Sequence, residues 1–355
     1  MADYPIDGNW TAFEQEHASN WSDATLEVDN PLFYYYLWSV ITPTIFALIT
    51  LVGTIGNLLV IYVILSKRGM QTVINLLLLN LAAADIAFLV ICVPFTAYKY
   101  YADTWVFGDR FCKVAQYSLY VTAYVTVYTL VAISALRFLT IVCSTTSKSY
   151  CTRRNVVVLI ALIWVVMLCL HIPTLLAHRM KTLYGYTYCG ITHNAIGPMF
   201  VTFFVFAYAL PLLLICVLYM LIMRFLQRSN RSTHAHAQSR ERTARASRVI
   251  ILVVVVFGLS WLPHHVNALV SYFGAPASGK AYEVIRVLWN CMAYGNSCAN
   301  PIIYNYVSRE FRKSFKEVVC CRTARSQAPS TTTEMVHMMP TDGSNNTNGS
   351  PREVV

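Results

Sequence analysis

Charge is what this sequence has least of. Only 12% of its 355 residues are Asp, Glu, Lys or Arg, against 56% apolar residues, and its mean hydropathy is +0.49. Soluble domains carry about 25% charge because their surfaces meet water, so an ordinary soluble fold is excluded and lipid is the second solvent. Acids are scarcer still along the middle of the chain: none stands between Asp29 and Asp85, and none between Asp109 and Glu241. A proton pathway needs a series of intramembrane acids, and a channel or transporter needs several buried charges or a polar stripe, so one acid at depth argues against both. The sequence also lacks internal repeats and paired half-helices interrupted by Gly or Pro. It lacks the nucleophile and base, or the metal-ligand set, of an intramembrane enzyme. The N-terminus has no basic region followed by a short apolar core, so the first long apolar segment is expected to target the chain.

Seven stretches can each supply the roughly 20 residues that cross a ~30 Å hydrocarbon core. They run over Ser39 to Leu65, Leu76 to Tyr98, Cys112 to Val142, Val156 to Leu176, Met199 to Met223, Val249 to Phe273 and Val284 to Val307. The net charge of +10 would suggest nucleic acid on a soluble chain, but its distribution follows the apolar segments instead. Nineteen Lys and Arg fall on one side of the membrane, seven on the other, and Arg137 lies within the third segment. The positive-inside rule then puts the N-terminus outside and the C-terminus in the cytoplasm, with no nucleic-acid partner. The expected fold is an all-α membrane protein, a seven-transmembrane helix bundle with a short amphipathic eighth helix. Its domains are an extracellular tail over 1–33, the membrane domain over 34–320, and a disordered cytoplasmic tail over 321–355.

Two of the 11 cysteines, Cys112 and Cys189, fall on the oxidising outer face, where a disulfide is the natural pairing. Sequons at Asn9 and Asn20 lie on the same face and predict glycosylation. On the inner side Val307, Phe311 and Phe315 share one helix face, predicting an amphipathic helix on membrane lipid; Cys320 and Cys321 at its end are candidate palmitoylation sites. Around Gly185, Tyr184 to Tyr188 alternates as a short hairpin over the outer face would. Asp85, deep in the second segment, is costly in lipid, and Asn57, Thr126, Asn296, Ser297 and Asn300 at similar depth are its candidate partners, as a cation site or polar hub.

The residues Gly56-Asn57, Leu81 to Asp85, Arg137, Trp164, Pro211 with Tyr219, Phe257 to Pro263 and Asn300-Pro301-Ile302-Ile303-Tyr304 fall one set per segment, in order. In these the chain resembles a rhodopsin-like G-protein-coupled receptor of the plasma membrane. The resemblance implies no cofactor, but an allosteric sodium ion at Asp85, Thr126, Asn296 and Asn300. It makes Trp261 a rotamer switch, gives Arg137, Tyr219 and Tyr304 to a heterotrimeric G protein, and implies receptor kinase and arrestin as further partners. Pro211, Pro263 and Pro301 each remove a helical hydrogen bond and permit a pivot. One departure stands out: Leu136-Arg137-Phe138 replaces the family's Asp-Arg-Tyr, so the arginine loses its neighbouring carboxylate, and Thr243, which faces it, brings no charge.

Leu119 stands where amine receptors carry an aspartate, and Tyr294 where visual pigments carry a lysine, so neither ligand is expected. The outer half is most similar to the galanin and allatostatin-A receptors, through Pro94 to Tyr98, Thr104 to Gly108, His264-His265 and Arg286. Kisspeptin, opioid and somatostatin receptors share parts of it. A secreted neuropeptide is the ligand this implies, with Tyr98, Trp105, Gln116, Tyr120, His264, His265 and Arg286 as its contacts. Aromatic rings with polar tips suit such a ligand, as they would also suit an interfacial belt. The two histidines point about 100° apart and cannot chelate a metal together; they are expected to donate hydrogen bonds to ligand carbonyls.

Overall fold

The computed structural model describes residues 35–102, 104–143, 147, 149–183, 185–229, 237–274 and 279–319, the side chains of 193, 229, 237–247, 280 and 318–319 excepted. The sequons at Asn9 and Asn20, Cys320 and Cys321, both tails and the side chain of Thr243 therefore lie outside the described residues.

Seven long helices form the bundle: α1 (Leu37–Ser66), α2 (Val73–Tyr101), α3 (Gly108–Val142), α4 (Arg153–Ala177), α5 (Asn194–Arg228), α6 (Ala237–Phe273) and α7 (Lys280–Val307). A short α8 (Arg309–Val319) follows, turning Phe311 inward against Tyr304 with ring centroids 5.6 Å apart. Threonine hydroxyls open two of the inner helix starts, Thr72 accepting from the Asn75 amide at 3.3 Å and Thr152 from the Asn155 amide at 3.2 Å. Such caps satisfy amides that have no partner inside the helix. Prolines mark the irregular points. α2 bends at Cys92, just before Pro94, and α5 widens into a π-turn over Val205–Ala209 immediately before Pro211, whose missing N–H cannot continue the ladder.

All seven expected spans are helical, and they differ in composition. Among the described residues six helices, α1 to α6, are long and apolar enough to cross a membrane by length and composition. α7 is 28 residues long but carries Glu283 and Arg286 near its outer end and Asn290, Asn296, Ser297 and Asn300 on its buried side. Its interior is polar because it packs between α1 and α6 and so needs less apolar surface for lipid. The helices also start earlier than expected, α3 at Gly108 instead of Cys112.

Between α4 and α5 the chain forms an antiparallel hairpin, β1 (His178–Leu183) with β2 (Tyr186–Ile191). It is longer than the five-residue alternation suggested, because β1, His-Arg-Met-Lys-Thr-Leu, carries no clean period of two. Gly185 turns it with φ of +84°, a conformation that costs glycine little.

Candidate functional site

The outer ends of α2, α3, α5, α6 and α7 surround a cavity of about 860 Å³, open solvent at its mouth included. The hairpin is fixed over it from three directions. Cys189 is disulfide-bonded to Cys112 at the top of α3, as expected, with their Cα atoms 5.5 Å apart. Asp109 Oδ1 accepts from the Met180 amide at 2.8 Å. The loop before α3 adds a Trp105 amide bond to the Thr187 carbonyl at 2.6 Å and a Thr104–Thr187 hydroxyl pair at 2.7 Å.

Of the expected ligand contacts, Trp105, Gln116, Tyr120, His264 and His265 line this cavity. Tyr98 and Arg286 do not. Phe95, Thr96 and Lys99 occupy the cavity face of α2, so Tyr98, two residues beyond Thr96, falls on the far side and packs edge-on against Phe107 at 4.8 Å. Arg286 is captured by Glu283 one turn earlier on α7. Trp261 lies at the inner end of the cavity among Phe203, Phe257 and both histidines, at centroid distances of 5.7–6.3 Å. His265 is 2% exposed and sits between Phe203 and Tyr208, each 4.8 Å away. None of the lining residues is an acid.

One polar residue escaped the sequence reading. Asn290 on α7 donates from Nδ2 to the Tyr100 hydroxyl at 2.6 Å and presents Oδ1 to His264 Nδ1 at 3.1 Å. A lone amide on an otherwise apolar turn was its only sequence signal; its partners lie 190 and 26 positions away.

Deeper in the bundle, Asp85 is 1% exposed and accepts from Ser297 Oγ at 2.9 Å and Asn300 Nδ2 at 2.8 Å. Asn57 bridges the Gly53 and Ser297 carbonyls, and Asn80 joins Thr129 to the Trp164 indole at 2.8 Å each. Thr126 is buried in α3, and Asn296 Oδ1 is buried in α7 with no hydrogen-bond partner among the described residues. Of the four residues expected around a sodium ion, Asp85 and Asn300 are joined directly by a hydrogen bond.

At the inner end, Arg137 Nε and the Tyr304 hydroxyl are buried without a hydrogen-bond partner among the described residues, and the buried Tyr219 hydroxyl lies beside Ser134. They come from α3, α5 and α7. Buried polar groups left unpaired are costly in one arrangement of the helices and can be satisfied in another.

Comparison with known proteins agrees with this architecture. The family model for the 7 transmembrane receptor (rhodopsin family) matches residues 56–304. Galanin receptor 2a of Danio rerio is 36% identical over 326 residues, covering 88% of this chain and 89% of that protein. The allatostatin-A receptor of Bombyx mori is 36% identical over 308 residues, 84% of each, and galanin receptor type 1 of Homo sapiens 34% over 342 residues, covering 93% and 96%. With its seven helices in the matched order and its outer loop bonded to the third of them, the chain belongs to the rhodopsin family of seven-transmembrane, G-protein-coupled receptors.

Proposed function

We propose that this receptor binds a secreted neuropeptide of the galanin or allatostatin-A kind at its outer cavity and drives nucleotide exchange on a heterotrimeric G protein inside the cell. In this reading it lies in the plasma membrane with its N-terminus extracellular. The observation that carries the proposal is the cavity itself: aromatic, without an acid among its lining residues, and closed on one side by a tethered hairpin. An amine ligand needs a carboxylate, which this wall does not offer. A peptide with aromatic and amide groups finds rings and neutral hydrogen-bonding groups. The names of the relatives support the same ligand class.

Binding would bear on Trp261 at the inner end of the cavity, and the Pro263 pivot two residues further on would carry that change along α6. Arg137, Tyr219 and Tyr304 would then find partners as the inner ends separate. Sodium at Asp85, Thr126, Asn296 and Asn300 would favour the arrangement that holds Asp85 in place. Receptor kinase and arrestin would act on the cytoplasmic side, and α8 would lie on membrane lipid.

The test is the full chain expressed in cells with a G-protein activation sensor, exposed to galanin and allatostatin-A peptides, with somatostatin, opioid and kisspeptin peptides as comparators. Activation by one of the first two is expected. A response confined to the comparators, or none from receptor demonstrated at the cell surface, overturns the assignment.

A further inference from the structure

A hydrogen-bonded chain closes the cavity against α7. Asn290 Nδ2 donates to the Tyr100 hydroxyl at 2.6 Å, and Asn290 Oδ1, which only accepts, lies 3.1 Å from His264 Nδ1. With the carboxamide turned this way two acceptors cannot share a hydrogen bond, so His264 Nδ1 carries the proton, whereas the flipped carboxamide would accept from the Tyr100 hydroxyl and donate to an unprotonated Nδ1. A neutral imidazole has one N–H, which leaves the lone pair on Nε2. The Tyr100 ring stacks with Trp38 at 5.5 Å and Phe46 at 5.6 Å, so the far end of the chain is held from α1. Across the same cavity Gln116 Oε1 is buried with no hydrogen-bond partner among the described residues. No lining residue is an acid that would hold a second proton on the ring.

We propose that Tyr100 and Asn290 lock His264 as its Nδ1–H tautomer, so that His264 Nε2 and Gln116 Oε1 meet the ligand as acceptors. The part of the ligand seated between α3 and α6 then carries an uncharged N–H or O–H donor: a backbone amide, carboxamide, indole or phenol. This rests on the reading of the cavity as the ligand site, and it reverses the expectation that the histidines donate to ligand carbonyls. His265, enclosed by rings, is a packing residue. Asn290 and Tyr100 are positioning residues, acting through His264.

The tautomer is read directly from ring nitrogen and carbon NMR shifts of the full chain in lipid nanodiscs, labelled at histidine and free of peptide, with His264→Phe identifying the signal. The expected form is Nδ1–H in the wild type, with Nε2–H gained in Asn290→Leu. An Nε2–H signal in the wild type, or one unmoved by Asn290→Leu, overturns the lock. Galanin and allatostatin-A peptides then test the ligand side, with each donor removed in turn by N-methylation or substitution. Loss of one donor should lower potency roughly threefold to tenfold in the wild type and little in His264→Phe, as for one neutral hydrogen bond. Coupling of His264 to a peptide carbonyl instead overturns the proposal. Should neither peptide act, the reading of the receptor's ligand fails, and the tautomer decides the lock by itself.

Discussion

Asp85 shows how much one side chain carries in a bundle this poor in charge. Its two oxygens take hydrogen bonds from Ser297 and Asn300, so removing the carboxylate leaves two buried donors unpaired. Each such group costs about 1–3 kcal/mol, and Asp85→Leu is expected to lower the thermal midpoint of detergent-purified receptor accordingly. If sodium also binds here, NaCl should raise the midpoint above that in N-methylglucamine chloride for the wild type and not for Asp85→Asn; equal responses would place the ion elsewhere. A second residue sets a pH dependence on the outer side. His178, 1% exposed at the start of β1, donates from Nδ1 to the Thr174 carbonyl at 3.0 Å, and its Nε2 is buried without a partner among the described residues. Burial pushes its pKa down from the ordinary 6.5 to about 4. The unfolded chain therefore binds a proton at His178 below about pH 6.5 that the folded chain refuses until about pH 4. Stability from this group is full above 6.5 and lost as pH falls through that window. Thermal midpoints measured across it should show a decline that His178→Gln lessens; an unchanged slope in the variant would remove His178 as the cause.

Helices α1, α2 and α7 meet closely at a small residue, Gly53. A Cβ added at Gly53 in α1 would stand 2.6 Å from Leu89 Cδ1 of α2 and 2.9 Å from Cys298 Sγ of α7. Small residues are how membrane helices bring their backbones together, and overfilling such a contact costs about 1–3 kcal/mol. Gly53→Ala should lower the thermal midpoint, and the double variant Gly53→Ala with Leu89→Ala should lose less than the two single changes together, since the second relieves the first. Simple additivity would mean that α1 and α2 do not press on each other at this point. The element scale also shows what was legible in the sequence. α1 to α6 were readable because lipid demands long apolar runs whatever the partner helix is. α7 was read from the apolar stretch Val284 to Val307 with the others, and its buried side proved amide-rich. The disulfide followed from compartment alone, whereas β1 was missed because its alternation is masked by Arg179 and Lys181. The site was legible as a set of rings and polar tips, but which of them turn inward depends on helix rotation, as Tyr98 shows. The Asn290–His264 bond depends on how α6 packs against α7, which no local pattern encodes.

Across the whole molecule, the outer cavity and the inner polar groups are joined by the same helices, so the balance between arrangements is set at both ends. The inner end departs from its family at Leu136. That side chain is buried, 6% exposed, where the family's sequence pattern has an acid beside the arginine. Arg137 Nε is buried with no hydrogen-bond partner among the described residues, close to Tyr219 and Glu310. A hydrogen bond to a charged partner is worth about 1.5–3 kcal/mol. If that bond restrains only the inactive arrangement, its loss raises the population of the active one roughly tenfold or more. Raised signalling without peptide is therefore expected of the wild type. The comparison is with Leu136→Asp at matched surface expression, measuring G-protein activation in the absence of ligand. The acid should lower basal activity by restoring the local anchor to Arg137, while a saturating agonist still reaches the wild-type maximum and so reports an intact fold. Equal or higher basal activity in Leu136→Asp would mean that the buried Leu136 packing, and not a missing charge, holds Arg137 in the resting state.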